Sequence, residues 1–382
     1  MISIQSSDLR AVFPSIYNIY PIYNEMSSFI YKERIHCSKM DEKNLVLDDF
    51  YGRLFSKSIY ENLVPYGISE RMPYYNCMGC RTHSYEINGF LRVPYRKIPI
   101  YVVSNNEQAK QIIENVSSFY PDYKILFRGQ GKCYTINRSN NEMDLLYGDS
   151  SAREPSFLSS HCRPNINLNE TFLQSLWCWH GRMLLNDIGI DLQRELSETD
   201  YLDFFQAKQE IEGTFKLSLF SLGMAQHYGM PSVGLDLTDD YETALCFASN
   251  NFTSDSNNNL VVHLLDDFSD SMIYVFRCPQ DVVFPYAYTK PVNFPKCRPD
   301  CQHAWFGYVG WGFAKNQMGM YLACCIKVTK EMYASIDQNY IKSLFPSSKD
   351  DPILEHFLKL KNKVDYDPKV MKILSRIYDV AF

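Results

Sequence analysis

The sequence holds no apolar run of the length a membrane-spanning helix needs. It opens Met1-Ile2-Ser3-Ile4-Gln5-Ser6, without the basic start and apolar stretch of a secretion signal. An excess of basic residues is missing too: 38 Lys and Arg stand against 44 Asp and Glu, a net charge of -6. A surface devoted to duplex nucleic acid needs clustered cations to neutralise phosphates, so that class recedes, while a local basic groove keeps its place. There is no internal repeat, and no biased segment apart from Thr253-Ser254-Asp255-Ser256-Asn257-Asn258-Asn259, which reads as a surface loop or hairpin connection. Cysteine, by contrast, is plentiful at 12 residues. Without a secretion signal these read as thiols in a reducing compartment, so the expected location is cytoplasmic, with no membrane partner.

Aromatic residues make up 15% of the chain, with 28 Tyr and 24 Phe, enough for many half-buried contacts and for ligand-stacking surfaces. The length of 382 residues favours two units, or one core domain with extensions. Residues 1–96 read as an irregular, Tyr-rich leader with short helices; Leu45, Leu47, Phe50, Leu54 and Ile59 form its clearest periodic pattern.

From Ile98 the character changes. Ile98-Pro99-Ile100-Tyr101-Val102-Val103 predicts a strand, and Ala109, Ile112, Ile113 and Val116 predict a helix over 106–119. Tyr123 to Phe127 predicts a short buried strand that delivers Arg128 at its end. Helices follow over 171–187 and 200–228, with a break near Gly213; Gly229 sits where a left-handed helix cap belongs. Val233 to Leu237 reads as a strand. Asp239 reads as the cap of the next helix, with Glu242 completing a capping box and Ala244, Leu245 and Ala248 facing inward. Residues 260–264 and 272–277 look like an antiparallel pair, and 319–328 like a central strand. Two amphipathic helices close the chain: Pro352 starts the first, with Ile353, Phe357 and Leu360 as its stripe, and Val370, Ile373, Leu374 and Ile377 mark the second. Packing against the main domain is their expected role. Strands and helices mix without a repeating βαβ pattern, so the fold class is α+β.

Cys77-Met78-Gly79-Cys80 has zinc-knuckle spacing, with His83 close behind, and Cys297 and Cys301, near His303, could complete a tetrahedral set. The second pair is spaced differently and stands far away in the chain. Buried free cysteine is common, as Cys324-Cys325 in an apolar strand illustrates, so zinc is the lesser expectation.

Two stretches carry chemistry. Arg128 follows Ile125-Leu126-Phe127 and is bracketed by Gly129, Gln130 and Gly131. A guanidinium there can grip a pyrophosphate or carboxylate through paired hydrogen bonds, with glycines allowing close approach of a ligand. Alternatively it pairs with a buried carboxylate and ties strands together, the role spacing alone favours. The second stretch is Met224-Ala225-Gln226-His227-Tyr228-Gly229-Met230-Pro231, leading into Gly234-Leu235-Asp236-Leu237-Thr238. A histidine in the last turn of a helix feels the negative end of its dipole, which favours the charged form. It could orient or protonate a substrate beside Asp236 and Thr238, or simply cap its own helix.

Together these stretches resemble the FRG family. Its pattern is matched by Phe127-Arg128-Gly129-Gln130, by Arg153-Glu154-Pro155-Ser156-Phe157-Leu158, by Gln226 to Pro231 and by Leu235 to Thr238. Ala244-Leu245-Cys246-Phe247-Ala248 and Gln317-Met318-Gly319-Met320-Tyr321 follow, all in the family's order over roughly residues 98–328. The resemblance implies a main domain over 97–328, flanked by the leader and by a helical extension over 329–382. It also implies a split, antiparallel or mixed β-sheet related to the ADP-ribosyltransferase fold, surrounded by helices, with NAD as co-substrate between its halves. Arg128 would anchor NAD ribose or phosphate, with Gly129, Gln130 and Thr238 beside it, and Tyr228 or Tyr241 would stack on a ring. Gln317 would stand on the strand where transferases place a catalytic Glu. Since it carries no charge, Glu154 or Asp236 would supply the anion, with His227 nearby. The family's usual Arg and Trp are missing from Pro231-Ser232-Val233-Gly234-Leu235-Asp236-Leu237-Thr238.

The expected function is therefore an NAD-dependent ADP-ribosyltransferase-like enzyme. It would modify a protein or nucleic acid in a bacterial toxin or anti-phage defence setting, since family members often occur beside such systems. The alternatives are a nucleotide- or protein-binding module of the same fold, and an NAD glycohydrolase.

Overall fold

The computed structural model describes residues 45–48, 53–56, 85–93, 96–119, 121–140, 143, 147, 149–162, 170–257, 259–278, 280, 283–308, 316–362 and 368–380. In chain order the first elements are β1 (Leu45–Asp48), β2 (Arg53–Ser56), β3 (Glu86–Val93), β4 (Arg96–Val102), α1 (Asn106–Phe119) and β5 (Lys124–Gln130). Helices α2 (Glu170–Glu195), α3 (Glu198–Glu212) and α4 (Lys216–His227) follow, then β6 (Gly234–Thr238), α5 (Tyr241–Ser249), β7 (Asn250–Ser254) and β8 (Leu260–Leu264). The last third holds β9 (Met272–Cys278), β10 (Val283–Pro285), α6 (Tyr286–Thr289), α7 (Arg298–Cys301), β11 (Ala304–Tyr308) and β12 (Leu322–Lys327). Helices α8 (Lys330–Tyr333), α9 (Gln338–Ser343), α10 (Pro352–Lys361) and α11 (Pro368–Leu374) end it.

The fold is α+β, built on a mixed sheet of eight strands in the order β10-β11-β6-β5-β9-β12-β4-β3. β12 runs parallel to β4, and the other neighbours are antiparallel. β9 lies inside this sheet, and all seven of its residues are buried, as expected of a strand covered on both faces. One apolar core joins the sheet to α1 and α5. The other lies among α2, α3 and α4 and takes in Leu354 and Phe357 of α10 and Val370 and Leu374 of α11. No described helix is long and apolar enough to cross a membrane.

One joint in the sheet differs from the rest. β5 and β9 pair along seven residues, from Lys124 opposite Cys278 to Gln130 opposite Met272. On its other side β5 meets β6 at a single pair, Phe127 opposite Thr238. Beyond that point the two strands part. β6, β11 and β10 thus form one wing and β5, β9, β12, β4 and β3 the other.

Several expectations shift. Leu45, Leu47 and Leu54 lie on the antiparallel strands β1 and β2, with Leu47 opposite Leu54, and Phe50 and Ile59 fall outside the described residues. β5 runs on through Arg128 to Gln130, so the arginine lies within the strand. β8 pairs with β7, and β9 belongs to the large sheet. The cap of α5 is Asp240, one residue later than expected; its side chain accepts from the Thr243 amide. Residues 317–321 form a 3-10 turn ahead of β12, so Gln317 precedes the strand. Gly229, with φ of 84°, closes α4 in the left-handed region where a side chain would be strained.

Candidate functional site

The parting of β5 and β6 opens a cleft of about 170 Å³. β5 contributes Phe127, Arg128 and Gly129, and β6 contributes Asp236, Leu237 and Thr238. The end of α4 brings His227, α5 brings Thr243, Ala244 and Phe247, and the segment around α7 brings Arg298, Gln302 and Ala304. Phe345 and Tyr378, from the chain beyond residue 329, close the wall.

Arg128 spans the opening. Its Nη1 donates to the main-chain carbonyl of Asp236 at 2.6 Å, so a side chain reaches across where the backbone ladder has stopped. Gly129 has a different role from the one its sequence suggests. A Cβ there would lie 1.7 Å from the carbonyl oxygen of Ala244, so the glycine admits helix α5 against the strand. Gln130 lies beyond the lining residues, opposite Met272.

His227 is buried, and its Nε2 lies 3.5 Å from Asp236 Oδ1. Burial lowers its pKa below the ordinary 6.5, against the pull of Asp236 and with the help of Arg298. Desolvation thus outweighs the helix-end effect expected from sequence, and the ring is held neutral. Thr238 Oγ1 donates to the Gln302 carbonyl at 2.9 Å, which anchors β6 to the turn after α7.

The remaining candidates stand elsewhere. Glu154 is fully buried and forked to Arg138, at 2.5 Å from Nε and 3.1 Å from Nη2. Its segment is a structural clip: Asn316 accepts from the Phe157 amide at 2.7 Å and donates to the Pro155 carbonyl at 2.9 Å. Tyr228 is buried and donates to Asp351 Oδ2 at 2.5 Å. Tyr241 donates to Asn106 Oδ1 at 2.9 Å and meets Phe127 edge-on. Neither tyrosine lines the cleft. Cys77, Cys80 and His83 fall outside the described residues. Cys297 is buried and donates to Asp300 Oδ2 at 3.1 Å, and burial holds its thiol well above the ordinary range. Burial also raises the thiol of Cys301.

Family models, curated proteins and solved structures give no match to this chain.

The sequence pattern did not mark Arg298, Gln302, Phe345 and Tyr378, and it held Phe247 only as a member of the 244–248 stretch. Arg298 sits in Cys297-Arg298-Pro299-Asp300, a stretch whose sequence signal is the spacing of Cys297 and Cys301. Phe345 and Tyr378 lie in the tail expected to pack on the main domain, and no local pattern marks them as cleft residues. The assembled cleft has cations at Arg128 and Arg298, one acid at Asp236, a neutral histidine and aromatic faces. That set can hold an anionic, ring-bearing ligand and place a carboxylate near its reacting centre.

Proposed function

We propose that the chain is an FRG-like protein whose cleft takes NAD and breaks its nicotinamide–ribose bond, in the manner of an ADP-ribosyltransferase acting on a macromolecule. The observation that carries this reading is the single-pair joint between β5 and β6, with Arg128 reaching across to Asp236. A divided sheet with a polar cleft at the division is what the FRG-like resemblance implied. His227, Asp236 to Thr238, Ala244 and Phe247 all come from stretches that carry the resemblance, and all line this cleft.

In this scheme the bond from ribose C1′ to the nicotinamide nitrogen breaks, and nicotinamide leaves with the electron pair. Positive charge develops on the ribose, and a carboxylate nearby stabilises it. Asp236 is the acid in position, since Glu154 is committed to Arg138. The acceptor then attacks C1′ and loses a proton, which neutral His227 can take. Arg128 positions the ribose or phosphate end. The open cleft's volume of about 170 Å³ is below that of sites that swallow a drug-sized ligand, so in this scheme one end of NAD enters and the rest lies over the mouth.

A binding module without turnover is the second reading. It is favoured by the acid's partner: Asp236 faces a ring that is neutral, and no second carboxylate lines the cleft among the described residues. Labelled NAD incubated with a cell extract separates the cases. Label on a macromolecule indicates transfer, nicotinamide without label indicates hydrolysis, and retention of intact NAD indicates binding alone.

A further inference from the structure

Arg298 is 2% exposed, yet its side chain lines the cleft. Nη1 reaches the His227 carbonyl at only 3.5 Å, and Nε and Nη2 have no hydrogen-bond partner. No Asp or Glu oxygen lies within 4 Å of the guanidinium among the described residues. Asp351, the acid of this neighbourhood, feels the Arg298 charge but takes its hydrogen bonds from groups other than that guanidinium. It accepts from Tyr228 Oη, from the Arg298 main-chain amide and from the amides of Ile353 and Leu354, and burial raises its pKa. Aromatic rings hold the guanidinium in place: Tyr228 at 4.7 Å, Tyr378 at 5.5 Å and Phe345 at 5.6 Å.

A buried charge without a counterion is unfavourable, and proteins that keep one ordinarily pair it. Ring faces recover part of the lost hydration but occupy none of the in-plane N–H donors. A rigid fork with unused donors, buried in the apolar wall of a cleft, is suited to a planar or tetrahedral oxyanion that reaches that wall. Arg128 on the β5 wall adds a second cation, and neutral His227 adds none.

We propose that Arg298 is the phosphate-binding residue of this cleft, gripping a phosphate of a nucleotide through Nε and Nη2. The sugar is left to Asp236, whose charge would repel the phosphate. The inference concerns what the cleft holds, whatever becomes of it, and so stands apart from turnover of NAD.

The test uses the full chain, titrated with sodium pyrophosphate, ADP-ribose, adenosine and succinate by calorimetry and thermal shift, against sodium chloride of equal ionic strength. Pyrophosphate and ADP-ribose bind the parent and raise its melting temperature, whereas succinate binds less well than pyrophosphate. R298M weakens ADP-ribose binding about tenfold or more, as expected for lost charge-assisted hydrogen bonds, and leaves adenosine binding unchanged. R298K, which keeps charge but not the fork, falls between. Equal ADP-ribose affinity in R298M and parent would overturn the proposal, as would tighter binding of succinate than pyrophosphate. If R298M does not fold, the parent decides: protection by pyrophosphate beyond chloride supports the site, and none refutes it. Phosphate binding without nicotinamide release would sink the proposed activity and leave this site standing.

Discussion

Arg128 Nη1 donates to the main-chain carbonyl of Asp236 at 2.6 Å, across the place where β5 and β6 cease to pair. The same guanidinium therefore braces the two wings of the sheet and lines the cleft between them. Of the roles that the sequence left as alternatives, the tie between strands is seen here, made to a main-chain carbonyl.

Removing that brace has two consequences. Arg128→Met costs about 1.5–3 kcal/mol, the range for a hydrogen bond to a charged group. Urea unfolding measures the loss, and nicotinamide release from NAD by the folded variant should vanish. A variant with parent stability would show that Arg128 does not hold the wings together.

Gly129 makes the sharpest steric case. A Cβ would stand 1.7 Å from Ala244 O and 2.7 Å from the amide nitrogen of Ala248, both backbone atoms of α5. Neither can step aside, so Gly129→Ala should destabilise by about 3 kcal/mol or more, at the upper end for overpacking. Far-ultraviolet circular dichroism during urea unfolding checks this; a cost under about 1 kcal/mol would mean that α5 shifts freely.

These two residues show what the sequence could and could not convey. The α+β class, the helix over 106–119 and the left-handed cap at Gly229 follow from local patterns, because periodicity and φ preference act over a few residues. Strand pairing does not. β9 had a plain strand signal, yet its partners β5 and β12 lie far from it in the chain. Arg128, His227, Asp236 and Thr238 could be named from their stretches. Arg298, Phe345 and Tyr378 could not, since only folding brings α7 and the tail to the cleft. Glu154 looked chemically able until its buried fork with Arg138 was seen.

His227 supplies a pH dependence. Its folded pKa lies below the ordinary 6.5, chiefly through burial. As pH falls through 6.5 the unfolded chain takes the proton first, so the stability this residue gives is complete above 6.5 and is lost below it, toward the lowered folded value. Subtracting the stability curve of His227→Gln from that of the parent, from about pH 8 down to about pH 5, should isolate that decline. A difference that grows as pH falls would reverse the assigned direction.

Tyr228 and Asp351 tie the tail to the cleft wall through a buried bond of 2.5 Å. Tyr228→Phe deprives a buried carboxylate of a donor and should cost about 1–3 kcal/mol. Chemical denaturation gives the figure. Because Asp351 also receives the Arg298 amide, the variant should weaken ADP-ribose binding as well. Unchanged affinity would mean that the tail does not set the position of Arg298.

The most direct measurement of the central claim is nicotinamide release from NAD by the parent chain and by Asp236→Asn, followed with a cell extract present. Release by the parent and its loss in the folded variant are the predicted results. No release by the parent, or equal release by Asp236→Asn, would contradict the account.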